Sequence, residues 1–138
     1  MRTSRTLWIA LILLSISAAA LVAAESSWLS KVPPADRQRV NPYADQPEAI
    51  AAGKLLFEEN CAKCHGGDAE GRRGRPSLRS ERVAHATDGE LAWLLRNGSL
   101  RKGMPTWSSL PEPERWQLIA FLRSLPRDGP PAAAVAHH

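Results

Sequence analysis

Asn60-Cys61-Ala62-Lys63-Cys64-His65-Gly66-Gly67 decides how the rest of the chain is read. Two thiols three residues apart, followed at once by an imidazole, make C-x-x-C-H, the attachment pattern of a c-type haem. The thiols suit thioether bonds to the haem vinyl groups, and His65 then lies under the iron as proximal ligand. The spacing calls for a helix end running into a turn, and Gly66-Gly67 lets the chain leave sharply. Two alternatives stand beside this reading. A plain Cys61–Cys64 disulfide would suit a thioredoxin-like protein, but no strand–helix–strand pattern surrounds the pair. A zinc site needs about four ligands, and only His85, His137 and His138 remain to complete one, at poor spacing.

The chain is 138 residues long, 43% hydrophobic and 23% charged, enough for one small domain. Its two cysteines cannot staple a loop-rich scaffold, which needs several bridges. The net charge of +4 is an excess of 18 basic over 14 acidic residues, which excludes a polybasic nucleic-acid tail.

The first 24 residues read as an address. Arg2 and Arg5 precede an apolar run over residues 7–16, and a small, Ala-rich stretch occupies residues 17–24. This is the order of a secretory signal, with Val22-Ala23-Ala24 as a small-x-small cleavage site. The alternative is an uncleaved anchor, because residues 7–24 stand at the lower edge of what crosses a hydrocarbon core of about 30 Å. Either way the remainder is expected outside the cytoplasm, in the periplasm or on the outer face of the membrane. Removal of Arg2 and Arg5 leaves 16 basic against 14 acidic residues, a net +2.

Residues 25–47 contain Pro33, Pro34, Pro42 and Pro47 and show no period, so an extended Pro-rich arm is expected. Residues 126–138 are rich in Pro and Ala and read as a disordered tail. Residues 48–125 remain for the core, and three helices are legible there. The first covers about residues 48–60, with Ala49, Ala52, Gly53, Leu56 and Phe57 on one face. The second opens on the capping box Thr87-Asp88-Gly89-Glu90 and stops at Asn97-Gly98. The third starts near residues 110–113 and stops before Pro126, with Trp116, Leu118, Ile119, Phe121 and Leu122 apolar. Three short helices make a thin core, and a large apolar prosthetic group would fill it.

A six-coordinate haem needs a second axial ligand. Beyond Met1 the chain has one methionine, Met104, in the loop Gly103-Met104-Pro105 beside Arg101 and Lys102. That is a poor position for a core hydrophobe and a good one for a ligand. His85, just before the second helix, is the rival.

With these residues in view, the stretch from residue 47 to 125 resembles the class I c-type cytochromes of the bacterial monohaem kind. The likeness rests on Ala51-Ala52-Gly53-Lys54, Phe57, the C-x-x-C-H motif, Thr87 to Leu91, Arg96-Asn97-Gly98, Gly103-Met104-Pro105 and residues 116–125. The resemblance implies an all-α cytochrome c fold: three main helices wrapped around one covalently attached haem c. It implies that the first and last helices cross, with Gly53 and Phe57 against Phe121 or Trp116. It also implies that the Pro76 carbonyl accepts a hydrogen bond from the His65 imidazole. Trp93 and Trp107 are candidates for packing on the haem, or for ordinary core.

His/Met ligation leaves no open coordination site, so the expected task is electron transfer and not catalysis. The expected role is an exported, monomeric carrier of single electrons between redox proteins. The alternative is a cytochrome subunit of a periplasmic dehydrogenase or terminal oxidase complex. A haem sensor or peroxidase with a labile sixth ligand is a third class. The basic residues Arg72, Arg73, Arg75, Arg79, Arg82, Arg101 and Lys102 suggest either a docking face for an acidic partner or a solvated loop.

Overall fold

The computed structural model describes residues 28–128. The signal or anchor expected at residues 1–24 lies outside them, as does most of the expected tail. The chain divides into two units, Met1–Val32 and Pro33–His138. Of the first, the described residues make one 3-10 turn, Leu29–Lys31. The second carries six helices among its described residues: α1 (Pro34–Arg37), α2 (Pro47–Asn60), α3 (Ala62–His65), α4 (Glu81–His85), α5 (Asp88–Asn97) and α6 (Glu112–Ser124). A 3-10 turn, Leu100–Lys102, links α5 to the loop before α6. No strand occurs among the described residues beyond two isolated bridges.

The three long helices form where local chemistry favours them. α2 starts with Pro47 in its first turn, where a missing N–H costs nothing, and Glu48 there meets the positive end of the dipole. α5 has the full capping box: the Thr87 hydroxyl accepts from the Glu90 N–H, and the Glu90 carboxylate accepts from the Thr87 N–H at 2.8 Å. α6 begins with Glu112 and Glu114 in its first turn and ends as Leu125 turns extended ahead of Pro126.

The core is the crossing of α2 on α6. Ala49, Gly53 and Phe57 form the buried stripe of α2. A Cβ on Gly53 would stand 2.0 Å from the Gln117 carbonyl oxygen, so only glycine permits this approach. Beside it the Phe57 and Phe121 rings pack with centroids 5.3 Å apart, tilted by 46°. Phe121 is therefore the aromatic partner at the crossing. Trp116 is buried among other groups: its carbonyl accepts from Asn41 Nδ2 at 2.9 Å, and the Arg39 guanidinium lies 5.0 Å over its ring.

Those contacts correct the expectation of an extended arm over residues 25–47. Residues 33–46 form α1 and a chain of turns packed onto the helices, so the compact unit begins at Pro33 and not near residue 48. The reason is tertiary. A Cβ on Gly89 would stand 1.8 Å from the Asp36 carbonyl oxygen, so α1 lies directly against α5. Arg37–Glu90 and Arg96–Asp36 ion pairs at 3.6 Å flank the contact, and Thr87 Oγ1 donates to the Arg37 carbonyl at 2.9 Å. Asn41 is buried, and its Oδ1 accepts from the Tyr43 N–H, so the segment leaves no amide unpaired there.

The start of the expected tail is also held. The Arg79 Nε donates to the Pro126 carbonyl at 2.8 Å, and the Asp128 N–H donates to the Arg79 carbonyl at 3.0 Å. Arg79 pairs with Glu70 and Asp128 as well. At the other end of this region Arg123 donates to the Val83 carbonyl and to Asp88 Oδ1, both at 2.8 Å, fastening α6 to the end of α4 and the start of α5.

Candidate functional site

The C-x-x-C-H residues sit at the junction of α2 and α3. Cys61 closes α2, its N–H reaching the Phe57 carbonyl at 2.8 Å, and its own carbonyl then accepts from the His65 N–H at 2.9 Å. Cys61, Cys64 and His65 therefore share one helical turn, with neighbours at i, i+3 and i+4. Phe57 is one turn back, in the α2–α6 crossing, so the core itself sets the position of the motif.

The loop after α3 aims the imidazole. Gly66 ends α3 at φ 83°, and the Gly71 N–H returns to the His65 carbonyl at 2.7 Å. Arg72 and Arg75 close a tight turn through two mutual hydrogen bonds of 3.2 and 2.8 Å, with Gly74 at φ 76°. That turn sets the Pro76 carbonyl 2.9 Å from His65 Nδ1. A carbonyl only accepts, so Nδ1 carries the proton and Nε2 keeps its lone pair for a metal.

The thiols are free, Cys61 half-buried and Cys64 exposed. Burial pushes the Cys61 thiol up to about 11, with Cys64 adding to the effect. Among the described residues no group of three or more His, Cys, Asp or Glu side chains converges as a metal site. His85 is exposed and turned back on its own helix, Nδ1 donating to the Glu81 carbonyl at 2.9 Å.

Met104 lies in a closed loop. Ser99 and Met104 form an antiparallel bridge, with N–H to carbonyl distances of 2.9 and 3.1 Å in the two directions. The 3-10 turn Leu100–Lys102 fills the loop, and Gly103 turns it at φ 74° in the left-handed region. Gly98, at φ 68°, lies under Pro105, where a Cβ would come within 2.7 Å of the Pro105 carbonyl carbon. Three residues after Met104, the Trp107 N–H donates to the Leu95 carbonyl at 2.8 Å, tying the loop to α5. Trp93 and Trp107 are both half-buried.

The basic residues divide. Arg79 and Arg75 are committed inside the fold, Arg75 to the carbonyls of Lys102 and Gly103. Arg72, Arg73, Arg82, Arg101 and Lys102 are exposed. Composition marks all of these residues alike as a basic cluster. Only the fold shows which two are braces, because their carbonyl partners carry no sequence signature.

These residues fit a covalently attached haem: two thiols one turn apart, an imidazole aimed with Nε2 free, and a thioether in a closed loop. An all-α fold with that donor set defines a c-type cytochrome. The sequence profile of the family described as cytochrome C oxidase, cbb3-type, subunit III matches residues 48–122, and the chain belongs to that family. It is 37% identical over 84 residues to the cbb3-type cytochrome c oxidase subunit FixP of Sinorhizobium medicae, covering 58% of this chain and 29% of that one. Thiosulfate dehydrogenase of Stutzerimonas stutzeri is 29% identical over 125 residues, 78% of this chain and 39% of that one. The chain thus spans well under half the length of these curated relatives. The crystal structure of cytochrome cL from Methylophaga aminisulfidivorans superposes with a TM-score of 0.56 at 32% identity, over 63% of this chain and 59% of that one. Residues 48–122 are accordingly a cytochrome c domain of that family, a class that carries covalently attached haem c and transfers electrons.

Proposed function

We propose that Cys61 and Cys64 hold the haem as thioethers, that His65 Nε2 and Met104 Sδ are its axial ligands, and that the chain passes single electrons between redox proteins outside the cytoplasm. The carrying observation is the 2.9 Å hydrogen bond from His65 Nδ1 to the Pro76 carbonyl, on the same turn as both cysteines. When bound, the haem supplies a one-electron iron couple, and Met ligation sets it at a higher potential than bis-His ligation. The protein's part is geometric. Pro76 fixes the tautomer and plane of His65. The Ser99–Met104 bridge holds the Met104 backbone in place. Substitution of Met104 by Ala tests the ligand set: the haem stays attached, and the ferrous protein binds CO at neutral pH. Unchanged spectrum and CO reactivity would remove Met104 from the site.

Docking of an acidic partner falls to Arg72, Arg73, Arg101 and Lys102, which are exposed and adjoin the His65 and Met104 loops in sequence. A second reading is favoured by the relatives. The likeness to an oxidase subunit of which the chain spans less than a third supports a role as the cytochrome part of a larger redox complex. Stable co-purification with a large oxidase or dehydrogenase subunit distinguishes it from a free carrier.

A further inference from the structure

We propose that Arg75 is the positioning residue that holds Met104 on the iron, tying the loop of the sixth ligand to the turn that aims the fifth. The proposal rests on the reading of His65 and Met104 as axial ligands. Three observations carry it. The backbone of Arg75 is fixed by the Arg72–Arg75 turn, and the next residue, Pro76, supplies the carbonyl that orients His65. From there Arg75 Nη1 donates to the Lys102 carbonyl at 3.1 Å and the Gly103 carbonyl at 3.3 Å, the two residues directly before Met104. Gly103 makes room for it: a Cβ there would stand 2.8 Å from Arg75 Nη1.

The chemistry suits the task. Carbonyls at the end of a 3-10 turn have no partner inside it, and a cation there also meets the negative end of the local dipole. Arginine is charged at every working pH and presents several donors from one rigid plane, so one side chain serves both carbonyls. Gly103 is in the left-handed region and Leu100 is 72% exposed, so little side-chain packing restrains this part of the loop. Without Arg75 the two carbonyls turn to water and the loop is held at its base by the Ser99–Met104 bridge. Pro76 and its bond to His65 are untouched.

The test compares holoproteins carrying Arg75→Ala, Arg75→Lys and Met104→Ala with wild type. The readouts are the sulfur-to-iron charge-transfer absorption of the ferric protein, CO binding by the ferrous protein, and the reduction potential. Arg75→Ala is expected to weaken the charge-transfer band, to raise apparent CO affinity at least tenfold, and to lower the potential, with the haem still attached. Arg75→Lys is expected to restore part of the band, since it keeps the charge and one donor. If Met104→Ala opens the haem to CO while Arg75→Ala leaves band and CO affinity at wild-type values, the positioning role is wrong. That holds even if Arg75→Ala lowers the melting temperature or shifts the potential, as a packing or propionate-pairing role would. If Met104→Ala leaves CO reactivity unchanged, the ligand reading itself has failed.

Discussion

Replacing Gly53 by Ala should break the α2–α6 crossing, and the cost can be worked from the geometry. A Cβ there would stand 2.0 Å from the Gln117 carbonyl oxygen, 2.6 Å from its carbon and 2.9 Å from Phe121 Cβ. Ordinary packing begins near 3.4 Å, so relief requires a displacement of 1.4 Å. The obstacle is backbone in the middle of α6, which cannot swing aside, so the helices must part. A gap of about 0.5–1 Å already forfeits a quarter to a half of the dispersion energy of the facing atoms, here including the Phe57–Phe121 pair. Overpacking of this kind costs about 1–3 kcal/mol, more where backbone is the obstacle. Alanine regains about 1 kcal/mol of helix propensity. With backbone as the obstacle the upper end of the overpacking cost applies, about 3 kcal/mol, so the net loss is about 2 kcal/mol, which for a domain of this size lowers Tm by roughly 8–16 °C. Thermal unfolding of the ferric holoprotein by circular dichroism measures it. Gly67→Ala is the control, because nothing lies within 4 Å of a Cβ there. A Gly53→Ala protein melting at or above wild type would overturn the close crossing.

Glu112 gives a pH-dependent prediction. Its carboxyl is held below its ordinary value of 4.5, first by the Trp116 indole N–H; burial opposes this, and the hydrogen bond and charge of Arg39 and the charge of Arg115 lower it further. A depressed folded pKa means stabilisation that is present above the unfolded value and lost as pH falls through the folded one. The stability gap between wild type and Glu112→Gln should therefore be present at neutral pH and close below pH 4.5. It should be small and salt-sensitive, since the Glu112 side chain is 48% exposed. A gap constant across the acid range would contradict the assignment. For docking, neutralising Arg72 and Arg73 together should flatten the salt dependence of electron transfer to an acidic partner, measured by stopped-flow. An unchanged slope would remove these residues from the docking face.

Much of the fold was legible because it is written in local chemistry. Pro47 and Glu48 mark the start of α2, Thr87 and Glu90 the start of α5, and Pro126 the end of α6. The motif Cys61 to His65 put two thiols and an imidazole on one helical turn, and Gly103-Met104-Pro105 marked a tight loop. What was not legible is held by side chains reaching backbone carbonyls far away in sequence. Residues 33–46 looked like an arm because Asn41, Arg39 and the Asp36–Gly89 approach leave no periodic trace. Arg75 and Arg79 looked like surface charge for the same reason. Trp116 had the right helix for the crossing, but Asn41 and Arg39 claim it, and Phe121 takes the place beside Phe57.

Everything functional rests on Cys61 and Cys64 attaching one haem. Denaturing mass spectrometry of the protein from cells with an active cytochrome c maturation system decides it. The expected mass is that of the polypeptide plus one haem, retained after unfolding and located by fragmentation on the peptide containing Cys61 and Cys64. A polypeptide mass without the haem increment, or a haem that leaves on unfolding, would show that the thioethers do not form.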